Sequence, residues 1–436
     1  MPTLRRRFFK LALINLLASV TVPLAGLVDT AMLGHLDEIR FLAGVALASL
    51  LFDYLYWSFG FLRMGTTGTT AQAMGRGDRD EVYLLLYRSL LLAGVLGVAV
   101  LALQLPLREL GFWVLSGEAS VEQAGRAYFN ARIWGAPATF CNFALLGWYL
   151  GREESRHGLS MAIAANLSNI ALNYVFIIRM QLAAFGAGLA TMLAQYVMLA
   201  VALSIFFARH RQRVPWRMRE VLSRRMTDLF RLNLEILVRT ICLVTSFAVF
   251  TNVSSTLGTA VLAANSILMR LFALAAYLID GAAFASESLA GMLRGRRDLD
   301  GLRRLFRLSL VSGTAVAALF LVSMFAAMDP LFRLLTSHRE LIVLAKLHAP
   351  WLIPVLVFGA LAFMYDGLFL GLTEGRVLRN RMLISTLLVF GPVAALAYRL
   401  QNNHLLWFAM ALFMIARAET LRLASRRLFA GYGTAP

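Results

Sequence analysis

The segment GTTGTTAQAMG at residues 65–75 has a counterpart 216 positions later, GAAFASESLAG at residues 281–291. A second pair, GWYLG at 147–151 and GLFLG at 367–371, repeats at an offset of 220. Small residues at such spacing let transmembrane helices approach closely. Two matches at nearly one offset indicate that the chain consists of two related halves.

The composition indicates that most of the protein surface faces lipid. The 436-residue chain is 59% hydrophobic and 15% charged, whereas soluble domains carry about 25% charged residues. A single soluble core stops growing at roughly 250–300 residues. The net charge of +18 lies in short clusters between apolar runs, which favours membrane lipids as partners and argues against nucleic acid.

The apolar runs predict an all-α polytopic membrane protein. A bilayer core requires about 20 apolar residues per helix, and these runs lack the two-residue alternation of a membrane strand. Twelve transmembrane helices are predicted, at residues 11–33, 41–74, 82–107, 123–149, 157–179, 184–207, 229–253, 260–290, 303–328, 341–370, 380–399 and 404–424.

The basic residues predict the orientation and the domain borders. Arg and Lys concentrate at the N-terminus, in every second loop and at the C-terminal end from Arg417 onward, which predicts that both termini are cytoplasmic. The longest basic linker, 209–226, separates an N-terminal six-helix bundle (1–208) from a C-terminal one (227–436). Two halves that start on the same side form a parallel repeat, which predicts a substrate cavity between them.

Four polar residues of the N-terminal half form the first candidate site. A carboxylate inside a membrane costs a few kcal/mol and is a functional candidate by default. At about 1.5 Å per residue, Asp29, Asn169, Asn173 and Thr191 lie at similar depth. They predict a carboxylate–amide–hydroxyl pocket for a proton or Na⁺. A purely structural role for the Asn and Thr residues, as interhelical hydrogen bonds, stays open.

Other polar residues are candidates for substrate or second-half sites. Asp280 and Glu287 are seven residues apart on one face of the eighth span, Asp366 lies in the tenth, and Arg63 lies in the second. Their depth places the acidic residues towards the cytoplasmic side, so Glu287 is also compatible with an interfacial position.

The sequence also predicts which kinds of site are absent. No segment reads G-x-x-x-x-G-K-[ST], so no nucleotide is expected. The two cysteines lie inside apolar runs and the six histidines are scattered, which predicts no catalytic residues, no metal site and no cofactor. A membrane-embedded enzyme is the alternative of another class, and it lacks a catalytic cluster.

Specific motifs resemble the multidrug and toxic compound extrusion (MATE) transporters. Val28-Asp29-Thr30 with Gly34-His35-Leu36 is similar to the signature of that family. Three further stretches resemble its DinF branch: FLRMGTTGTTAQA at 61–73, YLIDGAAFASE at 277–287, and DGLFLG at 366–371 with RNRM at 379–382. The resemblance implies two pseudo-symmetric six-helix bundles in a V shape. It also implies antiport of amphipathic or cationic organic molecules against H⁺ or Na⁺ in a bacterial inner membrane, and we expect a monomer.

The resemblance also implies which residues bind the coupling ion. The family's cation site maps to Asp29, Asn169 and Thr191. Members often have Asp where this chain has Asn173, so one carboxylate remains in the pocket. A single carboxylate favours proton coupling, with Na⁺ at the Asp29 site as the alternative.

Arginines within the spans keep a second function open. Arg63, Arg132, Arg239 and Arg270 all lie in predicted helices, and a flippase for lipid-linked saccharides in the same broad superfamily would require a cationic cavity. Arg239 is also four residues after Glu235, which predicts a local ion pair between them.

Overall fold

The computed structural model describes residues 3–34, 36, 38–115, 118–210, 218–336 and 338–432, without the side chains of residues 22–25, 27, 29, 30, 218, 219, 224, 431 and 432. Within these ranges the chain is helical apart from short turns, and no strand occurs. The predicted all-α fold is confirmed.

Within the described residues, the N-terminal half contains nine α-helices. They are α1 (Leu4–Gly34), α2 (Ile39–Ser58), α3 (Phe61–Arg76), α4 (Arg79–Ala102), α5 (Gln104–Val114), α6 (Ala119–Arg132), α7 (Ala136–Gly151), α8 (Ser155–Asn173) and α9 (Ala183–Arg209). A 3₁₀ turn at Ile133–Gly135 joins α6 to α7, and a π-helical turn at Tyr174–Arg179 extends α8.

The linker and the C-terminal half follow the same plan. Their helices are α10 (Met218–Val221), α11 (Arg224–Thr256), α12 (Thr259–Gly295), α13 (Leu299–Ala326), α14 (Met328–Leu335), α15 (Arg339–His348), α16 (Leu352–Gly371), α17 (Gly375–Leu383), α18 (Gly391–Leu400) and α19 (Asn403–Tyr432). A 3₁₀ turn at Ala349–Trp351 precedes α16, as one precedes α7, and a π-helical turn at Ile384–Phe390 lies between α17 and α18, in the middle of its span and not at the end.

The helices combine into twelve long segments that coincide with the twelve predicted spans. Within the described residues, ten helical segments are long and apolar enough to cross a membrane. The two segments outside this group are α1 and the α6–α7 segment. In the α6–α7 segment, the apolar sequence is interrupted by Arg126, Asn130, Arg132 and Asn142.

Helix starts show the repeat at an offset of 220 residues. The Asp78 carboxylate accepts a hydrogen bond from the backbone N–H of Glu81 at the start of α4, at 3.1 Å. Asp298 accepts one from the N–H of Gly301 at the start of α13, at 2.7 Å. Side-chain capping of this kind satisfies N–H groups that have no partner within the helix. The same capping device therefore begins the third span of each half.

Buried hydroxyl pairs correct the predicted register of the repeat. Thr66 donates to Ser89 at 2.8 Å, and Ser286 donates to Ser309 at 2.8 Å. Thr66 and Ser286 are 220 residues apart, and so are Ser89 and Ser309. The offset of 216 predicted for residues 65–75 is therefore wrong by four residues. Small residues recur along both helices at one-turn spacing, and the sequence therefore also matches after a slip of one turn.

Glycines allow two helix pairs to approach closely. A Cβ at Gly151 of α7 would lie 2.7 Å from the carbonyl oxygen of Thr67, and one at Gly367 of α16 would lie 2.5 Å from that of Ala283. Real Cβ atoms do not approach so closely. The glycines of the repeated GxxxG segments therefore bring α7 onto α3 and α16 onto α12.

Contacts group the described helices into two compact units. One unit is Leu17–Phe230, and the other is Arg231–Pro436 together with Met1–Leu16. The beginning of α1 thus belongs with the C-terminal helices, where Gly281 lies against the backbone of Leu16. The domain borders expected from the sequence, 1–208, 209–226 and 227–436, stay a prediction.

The linker is fixed to the N-terminal unit by a buried arginine. Arg88 of α4 is 1% exposed and donates to the backbone carbonyls of Val221 at 3.1 Å and Glu220 at 2.9 Å. Its guanidinium also pairs with Glu81 at 2.8 Å, and Glu81 accepts a second bond from Arg225 at 2.5 Å. The last part of the linker is therefore held by charge-assisted hydrogen bonds.

Candidate functional site

Three of the four residues predicted to bind the coupling ion form one chain of hydrogen bonds. Nδ2 of Asn173 donates to Oδ1 of Asn169 at 3.2 Å, and Nδ2 of Asn169 donates to Oγ1 of Thr191 at 3.3 Å. The Thr191 hydroxyl donates to the carbonyl of Ala187 at 2.9 Å. The first two residues are on α8 and the third is on α9. The structure therefore joins these two helices through a polar chain.

This chain lies in the interior of the N-terminal unit. Asn169 and Asn173 are 6% and 1% exposed, and a buried amide without partners would cost about 1–3 kcal/mol. Asn173 is the last residue of α8 before the π-helical turn Tyr174–Arg179. Such turns are frequent at functional sites because they widen the helix locally. The polar chain thus sits where the helix geometry changes.

Asp29, the predicted fourth member, is on α1. Its side chain lies outside the described residues, as does His35 of the signature that it belongs to. The grouping of Asp29 with the amide chain stays a prediction. Asn166, one turn before Asn169, is half-buried, and its Nδ2 has no partner within the described part of the chain.

Asp366 is clamped between two arginines. Its Oδ2 accepts hydrogen bonds from Arg239 and from Arg417, the latter at 2.6 Å. All three residues are at most 5% exposed. The Arg417 guanidinium lies 5.3 and 5.4 Å from the ring centres of Phe363 and Phe413. The carboxylate is thus committed to holding α11, α16 and α19 together.

Two sequence interpretations are wrong here. Glu235 and Arg239 do not pair: Glu235 instead faces Arg376 at 3.3 Å, Arg231 at 3.7 Å and Arg379 at 3.9 Å. The i, i+4 spacing considers one helix only, whereas the arginine nearest to Glu235 is Arg376 on α17. Arg417, assigned to the basic cytoplasmic end, is 1% exposed. Its position inside the predicted span 404–424 was the signal for burial.

The remaining predicted site residues lie at helix contacts. Arg63 is 8% exposed, and its carbonyl accepts the Thr67 hydroxyl at 2.9 Å. Glu287 is 1% exposed, so the interfacial interpretation is wrong for its side chain. Its carbonyl lies against Gly371. Asp280, on the same helix, is half-buried.

Most of the helix-embedded arginines are engaged within the protein. The Arg132 guanidinium lies 4.4 Å from the ring centre of Phe52 and 5.6 Å from those of Tyr56 and Tyr128, and it donates to the Tyr128 hydroxyl at 2.8 Å. Arg239 is bound to Asp366. These two arginines do not offer their charge to an anionic lipid, which weakens the flippase alternative.

The described residues contain no group of three or more His, Cys, Asp or Glu that could hold a metal ion. Within them, the polar chain of α8 and α9 and the Asp366 clamp are the two buried polar assemblies that contain predicted site residues. The first contains only neutral groups and the second is charged. Only the first has the amide and hydroxyl groups expected around a titrating carboxylate.

Comparison with known families gives matches in both halves. The family model described as MatE matches residues 16–175 and 236–396. DNA damage-inducible protein F of Escherichia coli (strain K12) is 32% identical over 426 residues, which cover 97% of this chain and 92% of that protein. The probable multidrug resistance protein NorM of Thermotoga maritima is 24% identical, covering 83% of this chain and 77% of that protein.

Solved structures agree on the fold. A MOP superfamily transporter from Pyrococcus furiosus matches with a TM-score of 0.90 at 19% identity, covering 100% of this chain and 98% of that one. A multidrug resistance MATE family transporter in an outward-facing conformation matches with a TM-score of 0.89 at 19% identity and the same coverage. At this identity the likeness supports the twelve-helix fold alone.

Proposed function

The chain belongs to the MatE family of transporters, and from this membership we propose that it exports amphipathic or cationic organic compounds in exchange for protons. Membership makes it a multi-pass membrane transporter and not an enzyme. Two relatives carry names that refer to multidrug resistance. The proposal adds the substrate class, the coupling ion and the residue that carries it.

The observation that carries the proposal is the buried chain Asn173–Asn169–Thr191. It is a buried polar path that joins α8 to α9, and each of its members was expected at the coupling site. Amides and a hydroxyl remain neutral at all physiological pH values, so they can solvate a carboxylate in both of its protonation states. They cannot themselves carry a proton through the cycle. That role falls to Asp29.

The hydrogen-bond directions favour a proton over Na⁺. A hard cation takes several oxygen ligands at short distance. Oδ1 of Asn169 already accepts from Asn173, and Oγ1 of Thr191 already accepts from Asn169. Each of these oxygens keeps one lone pair beside its present donor, so in this arrangement the chain offers Na⁺ few oxygen ligands. A protonated carboxyl needs only one acceptor, and an ionised one needs only donors.

The coupling then follows from the cost of charge in a membrane. Ionised Asp29 requires polar neighbours or water, while protonated Asp29 is tolerated in apolar surroundings. Proton binding therefore changes which arrangement of α1 has the lowest free energy. We propose that one arrangement admits the organic compound and the other releases it, in a single chain in the bacterial inner membrane with both termini cytoplasmic.

The test is transport in proteoliposomes under separately imposed gradients. Efflux of ethidium should follow an imposed pH gradient and should not respond to a Na⁺ gradient at constant pH. Asp29→Asn should reduce pH-driven efflux at least tenfold. Thr191→Val, which keeps the side-chain shape and removes the hydroxyl, should shift the pH dependence of efflux.

Asn166→Ala is the matched control. This residue lies one turn before Asn169 and outside the hydrogen-bonded chain, so its substitution should leave pH-driven efflux nearly unchanged. Efflux driven by Na⁺ alone would refute proton coupling. Undiminished efflux by well-folded Asp29→Asn would remove Asp29 from the mechanism. Absence of efflux under every gradient would contradict the substrate class.

A further inference from the structure

A cavity of about 300 Å³ lies between α11 and α12 of the C-terminal unit. It is lined by Phe250, Thr251, Ser254, Leu262, Asn265, Ser266, Met269, Arg270 and Ala273. This volume is at the lower end of the range that holds small organic ligands. The cavity is distinct from the polar chain of α8 and α9, which lies in the other unit.

Arg270 is the only charged residue in the cavity wall. Its side chain is exposed, and within the described ranges no hydrogen bond or ion pair involves it. The other helix-embedded arginines discussed above are less exposed, and two of them are fixed by Asp366 or by aromatic rings. Arg270 thus offers a whole guanidinium with five N–H donors to whatever enters.

The hydroxyl groups of the cavity provide acceptors. The Thr251 hydroxyl donates to the Phe247 carbonyl at 3.0 Å, and the Ser266 hydroxyl donates to the Leu262 carbonyl at 2.7 Å. Because these protons are used, the oxygens present lone pairs to the cavity. The wall therefore combines one strong cationic donor with two neutral acceptors on an apolar surface.

A hydrogen-bond network fixes the deeper polar wall. Asn265 is 1% exposed and donates to Ser254 at 2.8 Å and to Asn403 at 2.7 Å. Its oxygen accepts from Trp407 at 2.9 Å. Since this amide is satisfied, it holds the shape of the wall and does not compete for the charge of Arg270.

We infer that this cavity binds the anionic group of an amphipathic organic compound, a carboxylate held by Arg270 with the apolar body against Phe250 and Met269. A guanidinium matches a carboxylate through two parallel hydrogen bonds. The acceptor oxygens of Thr251 and Ser266 suit N–H or O–H groups on the same molecule. This inference rests on the proposed function and adds to it a binding preference for those amphipathic compounds that carry an acid group.

Two dyes that differ in one group provide the test. Rhodamine 110 has a free carboxylate, and rhodamine 123 is its methyl ester. Binding of each is measured by fluorescence anisotropy to the purified full-length protein in neutral phosphatidylcholine nanodiscs, without any ion gradient. The wild type should bind rhodamine 110 about tenfold more tightly than the ester, as expected for a charge-assisted pair.

Variants assign the preference to Arg270. Arg270→Gln should abolish it, and Arg270→Lys should keep part of it because the charge remains without the planar fork. Ser266→Asp, one turn before Arg270, should also abolish it by pairing with the arginine, and this variant guards against misfolding of Arg270→Gln. Arg296→Gln, at an exposed arginine directly after the same helix, should leave it unchanged.

The outcomes separate this inference from the proposed function. Equal affinity of the wild type for both dyes, or equal loss of both in Arg270→Gln, overturns the inference even if transport is observed. Loss of the preference for rhodamine 110 in nanodiscs with phosphatidylglycerol overturns the inference, because it would show that Arg270 binds an anionic lipid headgroup. Failure of proton-driven efflux leaves this equilibrium binding result intact.

Discussion

Glu109 on α5 and Arg126 on α6 form a bidentate ion pair, with N–O distances of 2.7 and 2.9 Å. The same sequence separation joins Asp329 on α14 to Lys346 on α15, 220 residues later. Both short helices therefore attach to the following helix by the same type of contact.

The Glu109–Arg126 pair makes stability depend on pH only in strong acid. Hydrogen bonds from Arg126 and Arg108 lower the pKa of Glu109 to about 2, against about 4.3 for an unfolded Glu. A lowered pKa contributes stability that is complete above the unfolded value and is lost as pH falls towards 2. The difference in apparent Tm between wild type and Glu109→Gln should be constant from pH 8 to about pH 5 and should shrink below about pH 4.

Asp228→Asn is the control for this measurement. Asp228 is exposed and forms no ion pair with any described residue, so its replacement should produce no comparable pH-dependent difference. A Glu109→Gln difference that already disappears near pH 6 would contradict the geometry of the pair.

Removal of the Asp366 carboxylate should destabilise the C-terminal unit strongly. Asp366→Asn leaves Arg239 and Arg417 buried without a counter-charge, and breaking a buried pair costs about 3–5 kcal/mol. Glu419→Gln breaks an exposed pair with Arg422 and should cost less than about 1 kcal/mol. The apparent Tm of the two variants, monitored by size-exclusion chromatography, provides the comparison. An equal loss of stability in Asp366→Asn and Glu419→Gln would contradict the burial of the Asp366 clamp.

The closely packed glycines should not tolerate a methyl group. Gly367→Ala would overlap the Ala283 carbonyl, and such overpacking typically costs about 1–3 kcal/mol. Gly94→Ala, where nothing lies within 4 Å, should be neutral or stabilising by up to about 1 kcal/mol. The apparent Tm of the two variants in one detergent provides the comparison. A neutral Gly367→Ala would show that α16 and α12 are further apart.

Loss of Arg88 should release the linker from the N-terminal unit. Arg88→Met removes the donors to Val221 and Glu220, so chymotryptic cleavage after Leu222 should accelerate about tenfold. Leu222 is 59% exposed and is available as a cleavage site. Arg79→Met, at an exposed arginine of the same helix, should leave the cleavage rate unchanged. Equal acceleration in both variants would show that Arg88 does not hold the linker.

Helices were predictable because each apolar run must satisfy its backbone hydrogen bonds internally in lipid. The Asn169–Asn173 contact was predictable too, since the two amides lie one turn apart on one helix. Thr191 required only a count of depth along two neighbouring helices. In these cases local periodicity and bilayer thickness carry enough information.

Tertiary ion pairs were not predictable in this way. Arg239 has an acidic residue four positions before it, yet it pairs with Asp366, 127 residues away. Spacing along one helix does not reveal which face packs inward against which other helix. The repeat offset was predicted as 216 instead of 220 because runs of Gly, Ala and Thr differ too little in their side chains to fix a register.

The offset of 220 relates helix caps, hydroxyl pairs and helix-joining ion pairs in the two halves, but neither the amide chain nor the Asp366 clamp has a counterpart at this offset. Asn169, Asn173 and Thr191 correspond to Val389, Val393 and Ala411, while Asp366 corresponds to Leu146. The local geometry also differs, because Val389 lies in the π-helical turn Ile384–Phe390 whereas Asn169 lies in the regular α-helix α8. The two halves share one helical framework, so the amide chain could arise in one half and the Asp366 clamp in the other.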